Sequence, residues 1–292
     1  MKMRRATDCF TLCNGVKIPC IGYGVGSVSD LNLGEYMRYA VLCGYRYLDL
    51  PEIGNTNFMM DALWGCGVIR ADLFLTSHAT MDVQHADRVI AQTEQYLQKH
   101  RLDYLDLLLL PWTYCYNQTQ EMALHCEAWN AMRRLQKEGK VRAIGVDHFG
   151  ISQICLLLEE VGGMPMVNRI CGLLTAEEHY LTGWCRARGI LTEVDRPLNG
   201  GVLAHCQEIC EIAKRYDATA AQLCIRAILQ SGVLPIVHAE KKAYIAEDIR
   251  VFDRMLSATD LGRVSAMMAE CAACQMQKQN EMESVSESVQ VQ

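Results

Sequence analysis

Asp103-Tyr-Leu-Asp-Leu-Leu-Leu-Leu-Pro-Trp112 is followed, after a stretch with helical period, by Gly139-Lys-Val-Arg-Ala-Ile-Gly-Val146. The first piece contains a short apolar run, Tyr104–Leu110, interrupted only at Asp106. A strand with one wet face alternates apolar and polar residues, whereas so uniform a run suits a strand buried on both faces of a parallel sheet. Between the two runs Leu124, Trp129, Met132 and Leu135 mark a helical stripe that stops before Gly139. Strand, helix and strand in that order make a βαβ unit.

Working outward, similar β-rich runs lie at Cys20–Tyr23, Tyr45–Leu50, Leu73–Ser77, Met166–Ile170, Ile190–Val194 and Val233–Val237. With Tyr104–Leu110 and Ala143–Val146 they make eight strand candidates, separated by helical stripes such as Ile209, Ile212 and Ala213. Eight consecutive units in 292 residues predict a (β/α)8 TIM barrel, with an open doubly wound sheet as the runner-up. Before the first barrel strand, Asn14-Gly15 predicts an N-terminal β-hairpin with a two-residue turn, placed to plug the bottom of the barrel. The barrel is expected over residues 1–275, and residues 276–292, rich in Gln, Glu and Ser, read as a disordered tail.

A net charge of −6 without a basic cluster argues against a nucleic-acid partner. No apolar run approaches the roughly 18–20 residues that cross a bilayer, which argues against a membrane protein. Lys2, Arg4 and Arg5 are not followed by a signal-like apolar region, so the chain reads as cytoplasmic. Its 15 cysteines are scattered through apolar runs and read as reduced core residues. Cys271-Ala-Ala-Cys274 has no second pair to complete a metal site and no strand before it to make a redox motif. His125, His179 and His205 have polar neighbours and are expected on the surface.

The chain resembles the aldo-keto reductase family over nearly its whole ordered length. Thr11-Leu-Cys-Asn-Gly-Val-Lys-Ile-Pro19, Gly22-Tyr-Gly24, Gly44-Tyr-Arg-Tyr-Leu-Asp49, Val167-Asn168, Pro197-Leu-Asn-Gly-Gly201 and Ala220-Ala-Gln-Leu-Cys-Ile-Arg226 match it in order and spacing, alongside the two quoted stretches. The Gly22, Gly24 and Gly26 cluster lacks the third glycine spacing and the later acid of a Rossmann loop. The resemblance implies hydride transfer from a nicotinamide to a carbonyl, with a Tyr acid tuned by a Lys–Asp pair and a His that orients substrate. Asp49 stands at the Asp position, His78 at the Lys position and Pro111 at the His position, and the segment after Asp49, Leu50-Pro-Glu-Ile-Gly54-Asn55, is one residue shorter where the Tyr should stand.

The implied cofactor positions are altered as well. Asp147 and His148 replace the Ser-Asn pair on the nicotinamide amide, Arg169 replaces the Gln, and Asp195 replaces the stacking Tyr. His238, Ala239 and Tyr244 replace the Lys, Ser and Arg of the 2′-phosphate site. The resemblance therefore implies no or weak NADP(H) binding. The chain is expected to have lost standard NADP-dependent hydride transfer and to act as a binding or interaction protein, or as an enzyme of new function. Its small-molecule or protein partner is unknown from sequence. The alternative is an active, divergent NADP-dependent aldehyde or ketone oxidoreductase, for which Tyr23 and Tyr47 are the nearest replacement acids. The rim would carry Asp49, Glu52, His78, Asp147, His148, Arg169, Glu193, Asp195 and His238. Their spacing carries no metal signature, so no metal site is assigned. Asp49 and His78 are expected to pair, with the His78 pKa raised above about 6.5.

Overall fold

The computed structural model describes residues 3–26, 32–53, 63, 65–80, 86–113, 118–172 and 176–271. The barrel strands are β3 (Gly22–Gly24), β4 (Tyr47–Asp49), β5 (Phe74–His78), β6 (Leu105–Pro111), β7 (Val141–Asp147), β8 (Val167–Cys171), β9 (Leu191–Asp195) and β10 (Leu234–Val237). Each pairs in parallel with the next in sequence, and β10 returns to β3 through Ile236↔Gly22 and Val237↔Tyr23. That closure makes a (β/α)8 barrel and excludes the open doubly wound sheet.

Helices α1 (Leu33–Cys43), α2 (Ala86–His100), α3 (Gln118–Lys137), α4 (Ile151–Val161), α5 (Ala176–Ala187), α6 (Gln207–Lys214), α7 (Ala220–Gln230) and α8 (Lys242–Asp248) follow in chain order. A last helix covers residues 258–271. No helix among the described residues is long and apolar enough to cross a membrane. The expected tail, 276–292, lies outside the described residues.

Side chains alternate across a strand, and β6 buries both sets. Leu107 and Leu109 join Tyr47, Phe74, Ala143, Val167, Leu234 and Ile236 inside the barrel, while Leu108 and Leu110 pack outward with Trp129, Met132 and Leu135 of α3. Asp106, the break in the apolar run, is fully buried but paired with Arg70 and Arg142 at 2.7 Å each. It also accepts from the Leu75 amide at 2.9 Å.

β1 (Cys9–Thr11) and β2 (Lys17–Pro19) form the predicted hairpin, which buries Leu12 and Ile18 against the lower barrel interior. Its connection is longer than expected. Pairing ends at Thr11↔Lys17, only Gly15 takes a left-handed φ (84°), and the Asn14 Oδ1 accepts from the Val16 amide at 3.2 Å. The Asn14 side-chain amide also donates to the Arg142 carbonyl at 3.0 Å, so the turn is shaped by the barrel floor as well as by its own residues.

His125 departs from its expected surface position. It is 3% exposed, because it lies one helical turn before Trp129 on the inward stripe of α3, and its ring stacks on Trp112 at 4.4 Å. His179 and His205 are exposed as expected, and the cysteines among the described residues are free thiols.

Candidate functional site at the barrel mouth

Climbing four of the strands, inward positions change from apolar to ionisable. Tyr47 gives way to Asp49 on β4, Phe74 to His78 on β5, Val167 to Arg169 on β8, and Leu234 and Ile236 on β10 to His238 just beyond it. Arg169, 2% exposed, lies at the centre. Its Nη1 and Nη2 donate to the two Asp49 carboxylate oxygens at 2.8 and 3.0 Å, and its Nε donates to Glu193 at 3.2 Å. Nη2 also reaches the Tyr47 hydroxyl at 3.3 Å, and that hydroxyl donates to Glu193 at 2.8 Å. A buried guanidinium is tolerable only when matched in this way, and the forked pairing with Asp49 is its strongest form.

The remaining contact of Arg169 fixes a tautomer. Nη1 lies 2.8 Å from the His78 Nε2, and since arginine only donates, that nitrogen accepts and the His78 proton resides on Nδ1. Burial, then the adjacent Arg169 charge, holds the His78 pKa below its ordinary value. The expected Asp49–His78 pair is therefore not formed. Both residues are in the site, but Arg169 is the partner of Asp49, and the His78 shift runs opposite to the one expected. Burial pushes the Glu193 carboxyl up to about 7 against the pull of Arg169.

Two further acid–imidazole pairs border the mouth. His148, at a left-handed φ of 62°, holds its Nδ1 2.8 Å from Asp147. Hydrogen bonds to Asp147, then Cys171, raise its pKa to about 10. The His238 Nε2 lies 2.5 Å from the Asp195 Oδ1. Burial would raise the Asp195 carboxyl, but the bond to His238 and the charges of His238, Arg169 and Arg196 together outweigh it and bring the pKa to about 2. The His238 ring lies flush on Gly24, where a Cβ would stand 2.2 Å from Cε1, so this strand end admits only glycine without moving the ring.

A cavity of about 300 Å³ is lined by Asp49, Glu52, His78, Asp147, Arg169, Asp195 and His238, with Arg196. Arg196 was not foreseen; it follows β9 at a left-handed φ of 50° and carries no sequence signal. Arg196 and His238 are shared with a second cleft of about 450 Å³, which runs along Pro197, Leu198, Gly200 and Gly201 to Thr219, Tyr244, Glu247 and Asp248. Neither replacement acid reaches the cavity. The Tyr23 hydroxyl donates to the Ala239 carbonyl at 3.1 Å, and the Tyr47 hydroxyl is held between Glu193 and Arg169.

The second cleft is lined by both basic and acidic side chains, Arg196 and His205 among the former. Its far end presents Glu240, Glu247 and Asp248. Thr219, the N-cap of α7, donates its hydroxyl to Glu247 at 2.7 Å and receives the Gln222 amide at 3.3 Å. The Thr219 hydroxyl thus caps one amide of the first turn and ties it to Glu247.

The sequence profile of the aldo/keto reductase family matches residues 11–269. Glyoxal reductase of Bacillus subtilis is 32% identical over 262 residues, covering 89% of this chain and 92% of that protein. Methylglyoxal reductase DkgA of Salmonella typhimurium is 32% identical over 259 residues, 88% and 92% of the respective chains. Among solved structures, an aldo/keto reductase from Brucella melitensis superposes with a TM-score of 0.80 at 28% identity, over 89% of this chain and 99% of that one. A Gox0644 mutant in complex with NADPH gives 0.81 at 28% identity, over 90% and 94%.

Proposed function

This chain belongs to the aldo/keto reductase family, and from that premise we propose that its barrel no longer runs the family's standard NADP-dependent hydride transfer but binds a small polar molecule at its charged mouth. One observation carries the proposal: Asp49, at the family's Asp position, is held through both oxygens by Arg169, whose every nitrogen is committed to a neighbour. Carbonyl reduction by the family route needs a hydroxyl acid beside a Lys–Asp pair. Here the cation is a saturated guanidinium, and among the described residues no tyrosine lines the cavity. The carboxylates at the far end of the second cleft support absent or weak NADP(H) binding. Free thiols support a reducing compartment such as the cytoplasm, and the net charge of −6 supports the absence of a nucleic-acid partner.

A second reading is favoured by the relatives, two of which are named as reductases of glyoxal and methylglyoxal, and by the open cleft along Pro197, Leu198, Gly200 and Gly201. In that reading the chain reduces small carbonyl compounds with NADP(H) through a different proton donor. NADPH titration followed by tryptophan fluorescence, together with methylglyoxal-dependent NADPH oxidation, separates the two. We expect no saturation below ~100 µM NADPH, weaker than about −5.5 kcal/mol, and no turnover. Submicromolar binding with turnover would establish the second reading.

A further inference from the structure

We propose that Cys171, His148 and Asp147 form a thiol-modification site on the rim of the barrel, where the Cys171 sulfur exchanges with low-molecular-weight disulfides. β7 and β8 pair at Asp147↔Arg169, so His148, just past the end of β7, and Cys171, the last residue of β8, stand on adjoining strand ends. His148 takes a left-handed φ of 62°, uncommon for a residue with a side chain, and holds its Nδ1 2.8 Å from the Asp147 Oδ1. The same ring hydrogen-bonds the Cys171 side chain. A thiol against an imidazole that is itself held by a carboxylate is the arrangement of an activated nucleophile.

Burial separates the three roles. Asp147 is buried at the edge of the cavity of about 300 Å³, while His148 and Cys171 are exposed and outside its lining. Hydrogen bonds to Asp147, then Cys171, keep His148 an imidazolium at neutral pH. A cation against a sulfur favours the thiolate, which is the form that attacks. In the exchange the thiolate attacks one sulfur of the disulfide, a new S–S bond forms as the old one breaks, and the departing thiolate takes a proton from His148 or from water. Cys171 is oxidised to the mixed disulfide and half of the reagent is reduced to a thiol, so the incoming disulfide is itself the oxidant. Such a step needs access to the sulfur and a proton donor for the leaving thiol, and this rim supplies both. The inference goes beyond the reading above and holds whether or not NADPH binds.

Cys13, in the connection of the hairpin, is the other exposed cysteine among the described residues and serves as the internal reference. The reduced full chain is incubated with oxidised glutathione at pH 6.5, quenched in acid and read cysteine by cysteine by peptide mass spectrometry. Cys171 should be modified at least ~10-fold faster than Cys13. His148→Asn, which suits a left-handed backbone, should slow Cys171 at least ~10-fold and leave Cys13 unchanged. At about pH 9.5 wild type and variant should converge, since an ordinary thiol, with a pKa of about 8.5, is then a thiolate unaided. The proposal is overturned if Cys171 reacts no faster than Cys13 or if His148→Asn leaves its rate unchanged. It is equally overturned if the variant is slowed by the same factor at both pH values, the mark of altered access rather than lost charge. The comparison with Cys13 is made within the wild-type chain and decides the question even if the substitution unfolds it.

Discussion

At Arg169 one buried guanidinium meets two carboxylates, a phenol and an imidazole. Truncating it strands Asp49 and Glu193 without their cation, and breaking a buried pair in this way costs about 3–5 kcal/mol. Arg169→Met should therefore lower the unfolding free energy by that amount in urea titrations, less whatever Glu193 recovers by taking up a proton. Arg169→Lys should recover little, because an ammonium cannot fork across both Asp49 oxygens. Burial, then the charge of the same guanidinium, holds the His78 pKa below its ordinary value. NMR titration should place the His78 pKa below the ordinary ~6.5 and move it upward in Arg169→Met. A His78 pKa above ~6.5 in the wild type would show that burial and Arg169 together do not govern it. Asp49 and His78 were legible as site residues because the family pattern marks their positions. Their relation was not, because Arg169 is 120 residues from Asp49 and reaches it only across the closed barrel.

The strands were legible because burial on both faces leaves an uninterrupted apolar run, and each of the eight candidates overlaps a barrel strand. What single runs could not convey was interlocking between neighbours. In β7, a Cβ at Gly145 would stand 2.7 Å from the Val167 carbonyl oxygen and 2.8 Å from the Leu109 Cδ2, so this strand position requires glycine for close approach to β8. Gly145→Ala should destabilise the fold by about 1–3 kcal/mol, since backbone must move to admit the methyl group. Gly183 in α5 is the contrasting case: it is exposed, with nothing within 4 Å of an added Cβ. Gly183→Ala should stabilise by about 0.5–1 kcal/mol through helix propensity. Equal denaturation midpoints for the two variants would contradict this account of the strand. The hairpin turn was misjudged for a related reason, since the Asn14 amide answers to the Arg142 carbonyl, a partner local turn chemistry does not include.

Across the whole molecule, buried ionisable groups give stability an opposed pH dependence. Burial raises Asp248 to about 7 and Glu193 to about 7. An unfolded carboxyl titrates near ~4, so between about pH 4 and 7 the folded chain retains protons that the unfolded chain would release. That contribution is complete below the unfolded value and is lost as pH rises through about 7. Asp195, at about 2, works the other way: its contribution is present above ~4 and is lost as pH falls toward 2. The lowered His78 adds a loss as pH drops below its unfolded value near ~6.5. Together, because two raised carboxyls outweigh the one lowered imidazole, they place the highest Tm near about pH 4 with a decline toward pH 8, and His148, raised to about 10, extends that decline above ~6.5. Asp248, 4% exposed, isolates the alkaline limb. Asp248→Asn removes the charge that the fold resists, so it should match wild type near pH 4 and exceed it by ~2–4 kcal/mol above pH 8. Melting curves of both proteins from pH 4 to 9 provide the test: a difference that stays constant with pH would mean that Asp248 ionises in the fold as readily as in the unfolded chain, and the alkaline decline would then have to come from Glu193 and His148.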